Sequence, residues 1–250
     1  MALTELKLEY EIASENKKGI PVIIAAAGSS SRMAGVNKQF ADLCGIPVII
    51  RTLLAFQRSD AISRIIVVTS KDSINEIQLL CSKYMIDKLT DILEGGANRA
   101  ESVKKGVARL GEEGYVLIHD GARPCITKEN INCVIEKVKE SKACVAGMPV
   151  KDTIKIVDEQ NNIVDTPNRK VVWMAQTPQA FSREIVVKAY EEMMKIGDNT
   201  ITDDAMVVEK YYGIKVEMVE CSYNNIKVTT PEDTAIAEAF LCQKSKMKKM

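Results

Sequence analysis

The stretch Ile20-Pro21-Val22-Ile23-Ile24-Ala25-Ala26-Ala27-Gly28-Ser29-Ser30-Ser31-Arg32-Met33-Ala34-Gly35-Val36-Asn37-Lys38-Gln39 decides how the rest of the chain is read. Its first part is a continuous apolar run with no polar side chain to mark a solvent face, the pattern of a strand covered on both sides. Its second part is small and polar, so backbone N–H groups can approach an anion closely while Arg32 and Lys38 neutralise it. Neither of the commoner phosphate loops is present: the Gly-Lys-Ser/Thr of a Walker A loop is missing, and so is GxGxxG. An ATPase and a nicotinamide enzyme are therefore disfavoured. A flexible Ser/Gly connector would have a similar composition, but a position directly after a buried strand favours the anion-binding reading.

Outward from this stretch, apolar β-branched runs recur at 64–69, 90–93, 115–119 and 143–148. Between them, 47–56, 73–84, 99–110 and 129–140 place apolar residues three and four positions apart, as amphipathic helices do. Strand and helix thus alternate for about 150 residues, which predicts an α/β chain with a mostly parallel sheet flanked by helices. In such a sheet the loops at the carboxyl ends of the strands hold the ligand, so those after Ala26, Leu93 and His119 are expected to converge.

The rhythm breaks after Met148. Residues 150–165 read as a hairpin around the polar turn Glu159-Gln160-Asn161-Asn162. It has too few large apolar residues to stand alone, so it is either packed on another surface, most simply a second copy of the chain, or a plain surface hairpin. Strand and helix resume at 171–176, 182–195, 203–212, 215–219 and 225–228, the last read as a strand in which Lys227 would ordinarily point at water. Thr230-Pro231-Glu232-Asp233 opens a last helix with a cap, a proline in the first turn and acidic residues that suit the dipole. No internal repeat or interdomain linker interrupts residues 1–250, which read as one domain carrying an arm at 149–170.

Composition sets outer limits. With 250 residues, 46% hydrophobic and 27% charged, the chain can bury a substantial core and is not a disordered tract. Thirty-four basic residues balance thirty-four acidic ones, so no overall field exists to hold a nucleic acid or an anionic membrane. Apolar stretches are too short to span a bilayer, and the charged N-terminus lacks a secretory pattern, which predicts a cytoplasmic protein. Seven scattered cysteines without a CxxC spacing predict reduced thiols rather than disulfides or a zinc site.

Other stretches can carry chemistry. Gly95-Gly96-Ala97-Asn98-Arg99-Ala100-Glu101-Ser102 joins a strand to a helix and suits a base edge or a sugar, or is simply a tight turn. In His119-Asp120-Gly121-Ala122-Arg123-Pro124, Asp120 can meet a divalent metal or a hydroxyl, and Arg123 an anion. His119 continues a strand, and a hydrogen-bonded structural role fits it better than general-base catalysis. Arg169 with Thr177-Pro178-Gln179, the stretch around Thr202-Asp203-Asp204, and Asn224-Asn225-Ile226-Lys227 are each weak signals by themselves.

Taken in order, AAAGSSSRM, KQF, GGANRAESV, HDGARP, PVKDTIK, TPNR, QTPQAF, ITDDA and NNIKVTTPED resemble the 2-C-methyl-D-erythritol 4-phosphate cytidylyltransferases, over about residues 21–241. The resemblance implies a Rossmann-like nucleotidyltransferase fold that dimerises through a protruding β-arm. It implies transfer of the cytidylyl group of CTP to 2-C-methyl-D-erythritol 4-phosphate, with magnesium, giving 4-diphosphocytidyl-2-C-methylerythritol and pyrophosphate for isoprenoid biosynthesis. It assigns Arg32, Lys38 and Lys227 to the reacting phosphates, and Ala26, Ala27, Gly28, Gly96 and Ser102 to the cytidine and ribose. Asp120, Arg123 and Thr202 fall on the acceptor side, with Asp120 near the metal. Thr153 and Arg169 match arm residues that reach the acceptor phosphate of the neighbouring subunit. Asn37 departs from the proline that many members carry before the lysine.

Two alternatives stay open at this point. A ribitol 5-phosphate cytidylyltransferase shares several of these elements, although PVKDTIK with TPNR favours methylerythritol phosphate. A nucleotide-binding homodimer without transferase activity would be expected to have lost the cations, yet Arg32, Lys38 and Lys227 are all present.

Overall fold

The computed structural model describes residues 19–28, 37–198 and 200–247, with side chains described through residue 242. The first apolar run forms β1 (Ile20–Ala26), a central strand. It pairs in parallel with β4 (Ile62–Thr69) on one side and β6 (Tyr115–Asp120) on the other, and β5 (Leu89–Glu94) extends the sheet beyond β4. Beyond β6 lie β10 (Trp173–Ser182), β7 (Ala143–Pro149) and β11 (Glu217–Glu220), completing the order β11-β7-β10-β6-β1-β4-β5. Strand β10 alone is antiparallel, wedged between β6 and β7. The chain is therefore an α/β protein whose sheet is mostly parallel.

The lack of polar alternation in β1 has a direct cause. Val22 and Ile24 pack on one face with Ile49, Leu53 and Phe56 of α1 (Val48–Gln57) and Ile131 and Val134 of α4 (Lys128–Ser141). Ile23 points to the other face, against Val103 and Val107 of α3 (Arg99–Val107) and Ile185 and Val186 of α5 (Arg183–Ile196). All three β1 residues are inaccessible to water, and each such aliphatic side chain contributes about 1.5–3 kcal/mol. Helices α2 (Ile74–Lys83), α6 (Asp204–Tyr211) and α7 (Pro231–Met247) complete the layers. The expected helix start is present: Asp233 Oδ2 accepts the N–H groups of Thr229 and Thr230 at 2.8 and 2.9 Å.

Register levels the carboxyl ends of four strands. Ala25 pairs with Asp120, Ala26 with Thr69, and Thr69 with Glu94, so the loops after β1, β5 and β6 open at one height. The expected arm is a hairpin of β8 (Ile156–Val157) and β9 (Ile163–Asp165). Asp158 organises its turn, with Oδ1 accepting the N–H groups of Gln160 and Asn162. Lys151 sits over the Tyr223 ring at 3.6 Å and the Tyr223 hydroxyl donates to the Pro149 carbonyl, fastening the root of the arm.

The structure departs from the expected windows at 171–176, where the strand is Trp173–Ser182, and at 225–228, and it adds a short hairpin. Residues 225–228 are not a strand. Their backbone is tied singly, Val228 N–H to Ala122 O at 2.8 Å and Asn225 O to Arg123 Nη1 at 2.8 Å, so no ladder forms. The unforeseen element is the short hairpin β2 (Asp42–Leu43) and β3 (Ile46–Pro47), whose turn residues Cys44 and Gly45 have φ of 52° and 77°. All seven cysteines are free thiols, and among the described residues no helix is long and apolar enough to cross a membrane.

Candidate active site

The loops after β1, β5 and β6 enclose a cavity of about 370 Å³ with the 37–39 turn and the segment before α7. Its wall includes Ala27, Gly28, Lys38, Gly96, Ser102, Asp120 and Lys227, which brings seven of the expected site residues together. Ala26 lies directly beneath, buried in β1. Arg123 stands behind Asp120 rather than on the wall, with Nε 3.6 Å from Oδ2. Thr202 is outside, its hydroxyl 3.7 Å from the Met206 sulfur. Thr153 and Arg169 are exposed on the arm, where Arg169 Nη1 donates to the Lys151 carbonyl. Arg32 lies outside the described residues.

The β5–α3 turn is fixed by hydrogen bonds among its own residues. Asn98 caps α3 by accepting the Glu101 N–H at 2.9 Å, and the Glu101 carboxylate reaches back to the Ala97 N–H at 2.9 Å. Ser102 Oγ accepts the Gly96 N–H at 3.0 Å and donates to the Asn98 carbonyl at 2.8 Å. The Gly96 N–H is thus already used within the turn. At Gly95 an added Cβ would meet Ala27 Cβ at 2.5 Å and Ser102 Oγ at 2.9 Å, so the two loops touch only because this residue has no side chain.

Asp120 is the electrostatic centre. It is 6% exposed, yet Lys227 Nζ approaches Oδ2 at 2.8 Å and Arg99 Nε approaches Oδ1 at 3.4 Å. Burial pushes its pKa up, but Arg99, Lys227 and Arg123 outweigh that and hold the carboxyl well below the usual range. Arg99 also makes a bidentate pair with Asp204, Nη1 to Oδ1 at 2.9 Å and Nη2 to Oδ2 at 2.8 Å. Burial works against the Arg99 charge, while Asp204 and Asp120 more than restore it and raise its pKa.

Behind this shell, polar residues brace the strand ends. Thr177 Oγ1 accepts the Asp120 N–H at 3.0 Å and faces His119 Nδ1 at 2.9 Å. Asn225 donates to Gln176 Oε1 and the Thr177 carbonyl, while Gln179 bonds Asp203 and the Ala205 N–H. His119 is wholly buried and serves this bracing, as its place in a strand suggested.

Sequence reasoning left Arg99, Gln39 and Asp204 without roles. Arg99 stands at the first position of a helix directly after a strand, a recoverable signal. Asp204 joins it from 105 residues away, which no local pattern records.

Comparison with known proteins agrees with this arrangement. The family model described as IspD, 2-C-methyl-D-erythritol 4-phosphate cytidylyltransferase, matches residues 20–243. An enzyme of that name from Lachnospira eligens is 46% identical over 88% of this chain and 97% of its own length. One from Caldanaerobacter subterraneus is 43% identical over 89% of this chain and 98% of its own. The crystal structure of 4-diphosphocytidyl-2C-methyl-D-erythritol synthase from Anaerococcus prevotii superposes with a TM-score of 0.78 at 33% identity, covering 90% of this chain and 97% of the other. On the sequence match and the shared architecture, the chain belongs to the 2-C-methyl-D-erythritol 4-phosphate cytidylyltransferase family.

Proposed function

We propose that the cavity binds CTP and catalyses its reaction with 2-C-methyl-D-erythritol 4-phosphate, giving 4-diphosphocytidyl-2-C-methylerythritol and pyrophosphate. The observation that carries this reading is the convergence of Lys38 and Lys227 with Gly28, Gly96, Ser102 and Asp120 on one cavity at the carboxyl ends of the strands. Cytidine lies against the 26–28 and 95–102 loops, where small residues leave the backbone accessible. The triphosphate lies towards Lys38 and Lys227, with Arg32 from the β1 loop.

An acceptor phosphate oxygen attacks the α-phosphorus, a new P–O bond forms, and the bond to the bridging oxygen of the β-phosphate breaks, releasing pyrophosphate. The acceptor phosphate is already ionised at neutral pH, so no general base is needed, and buried His119 is not placed to act as one. Catalysis is alignment of two anions and stabilisation of the charge that builds on the α-phosphate, which is what fixed cations supply.

A magnesium ion fits this donor set. Among the described residues, Asp120 is the one acidic side chain on the cavity wall, and no three potential ligands cluster into a protein-built metal cage. That suits an ion held by a single carboxylate and by substrate phosphates. Bound there, it would screen the triphosphate and its leaving group.

The arm at 149–170 pairs two copies of the chain in the cytoplasm, carrying Thr153 and Arg169 to the partner's acceptor site. Its exposed Ile156, Val157, Ile163 and Val164 supply apolar surface for that contact. The experiment is pyrophosphate release from CTP and magnesium with methylerythritol phosphate or ribitol 5-phosphate as acceptor. Turnover with the first supports the reading, and turnover with ribitol 5-phosphate alone, or no release with either, overturns it.

A further inference from the structure

Asp120 is approached by three cationic side chains, but only one of them is clamped at its far end by a second carboxylate. Lys227 reaches across the cavity wall, and Arg123 is tied by Nη1 to the Asn225 carbonyl at 2.8 Å. Arg99 is gripped bidentately by Asp204, and Asp204 Oδ1 in turn accepts the Tyr190 hydroxyl at 2.5 Å. Asp204 and Tyr190 are 0% and 1% exposed, so this grip is made in the interior, behind the site. The three residues begin α3, begin α6 and sit within α5, so the clamp joins elements that share no local sequence.

We propose that Asp204 and Tyr190 are positioning residues for cytidylyl transfer: through Arg99 they keep Asp120 in place and charge-compensated when Lys227 turns from it to the phosphates of CTP. The inference rests on the function proposed above. Lys227 Nζ is 2.8 Å from Asp120 Oδ2, and an ammonium that engages a triphosphate must loosen that pair. With Lys227 withdrawn, Arg123 and a magnesium ion bound there would compensate Oδ2, and Arg99 is the cation left on Oδ1, fixing the orientation of the carboxylate. Two parallel N–H···O bonds to Asp204 fix the plane of the Arg99 guanidinium and leave its Nε directed at Asp120 Oδ1. Were Arg99 held less firmly, the incoming triphosphate would draw it off Asp120 together with Lys227. The Tyr190 hydroxyl keeps Asp204 itself from rotating and takes up part of its acceptor capacity.

The test is a double-mutant cycle on the full chain, measuring kcat and both KM values by pyrophosphate release. Tyr190→Phe and Asp204→Asn are made alone and each combined with Asp120→Asn. Expected is a fall in kcat of about threefold to tenfold for Tyr190→Phe and about tenfold or more for Asp204→Asn, with the acceptor KM within about twofold. On the Asp120→Asn background neither change should lower kcat further, because the group they act through is gone. Losses that multiply in the double variants, or full kcat in folded Tyr190→Phe, would overturn the proposal. Should Asp204→Asn fail to fold, the Tyr190→Phe half of the cycle decides, since the ring still fills its site. A wild-type protein that releases no pyrophosphate defeats the functional reading itself, a result distinct from a multiplicative cycle.

Discussion

The chain has a single histidine, and its surroundings make the fold sensitive to mild acid. His119 stacks edge-on against Phe56 with ring centroids 5.0 Å apart, accepts from the Thr177 hydroxyl at Nδ1, and donates from Nε2 to the Arg123 carbonyl at 3.3 Å. Thr177 can donate there because its oxygen simultaneously accepts the Asp120 N–H, so the neutral ring has both nitrogens satisfied. Burial, opposed by Asp120 and reinforced by Arg123, pushes the imidazole pKa down to about 3. The unfolded chain, with an ordinary value of about 6.5, therefore takes up the proton first. Stability from this group is complete above about pH 6.5 and is lost as pH falls towards about 3, at about 1.4 kcal/mol per pH unit. Between about pH 7 and pH 5 the loss amounts to about 2 kcal/mol. Carboxylates with depressed values, Asp120 among them, cost stability only below about pH 5, so this window belongs to His119. Urea unfolding at fixed protein concentration in metal-free buffer measures it. His119→Gln, whose amide can still donate to Arg123, should flatten the slope whatever it does to absolute stability. A wild-type free energy that stays level from pH 7 to 5, or a variant with the same slope, would refute the account.

Other substitutions test the site directly. Lys227→Ala should lower kcat by about a hundredfold, the scale for removing one group that stabilises transition-state charge, as read by pyrophosphate release; unchanged turnover would remove Lys227 from the reaction. Arg169→Ala should chiefly raise the KM for the acceptor, because it takes away a ground-state phosphate contact; a change confined to the KM for CTP would place that arginine elsewhere. Gly95→Ala forces a Cβ to within 2.5 Å of Ala27 Cβ and should cost about 1–3 kcal/mol in a denaturant melt while weakening CTP binding in a calorimetric titration. An alanine variant with wild-type stability and affinity would show that the β1 and β5 loops need not touch.

Much of the sheet could be read from sequence because its parallel strands are buried on both faces, so β1, β4, β6 and β7 are apolar runs that little else produces. Strand β10 is the instructive exception. The apolar window at 171–176 ends before Thr177-Pro178-Gln179, whereas the strand continues to Ser182. Its polar residues survive inside because each has a partner: Gln176 with Ser222 and Asn225, Thr177 with His119, Gln179 with Asp203 and Ala205. Buried amides cost little when satisfied, and a composition rule that treats them as loop residues cannot see partners supplied from elsewhere in the chain.

The same limit separates the parts of the site. Loops that follow strands are fixed by chain order, so the meeting of Gly28, Gly96 and Asp120 was foreseeable from the βαβ rhythm. Lys227 was not, because it lies in an irregular segment that the reading took for a strand. That segment is bonded side-on to the β6 loop through Val228 N–H and Ala122 O, and this single bond, with the Arg123 grip on Asn225, sets the height at which Lys227 meets Asp120. An ordinary ladder would fix alternate side chains on opposite faces of the sheet. The irregular path instead frees the backbone to place one ammonium over the carboxyl ends, where the substrate anions meet, and Asn225 and Val228, both buried, hold that path rigid.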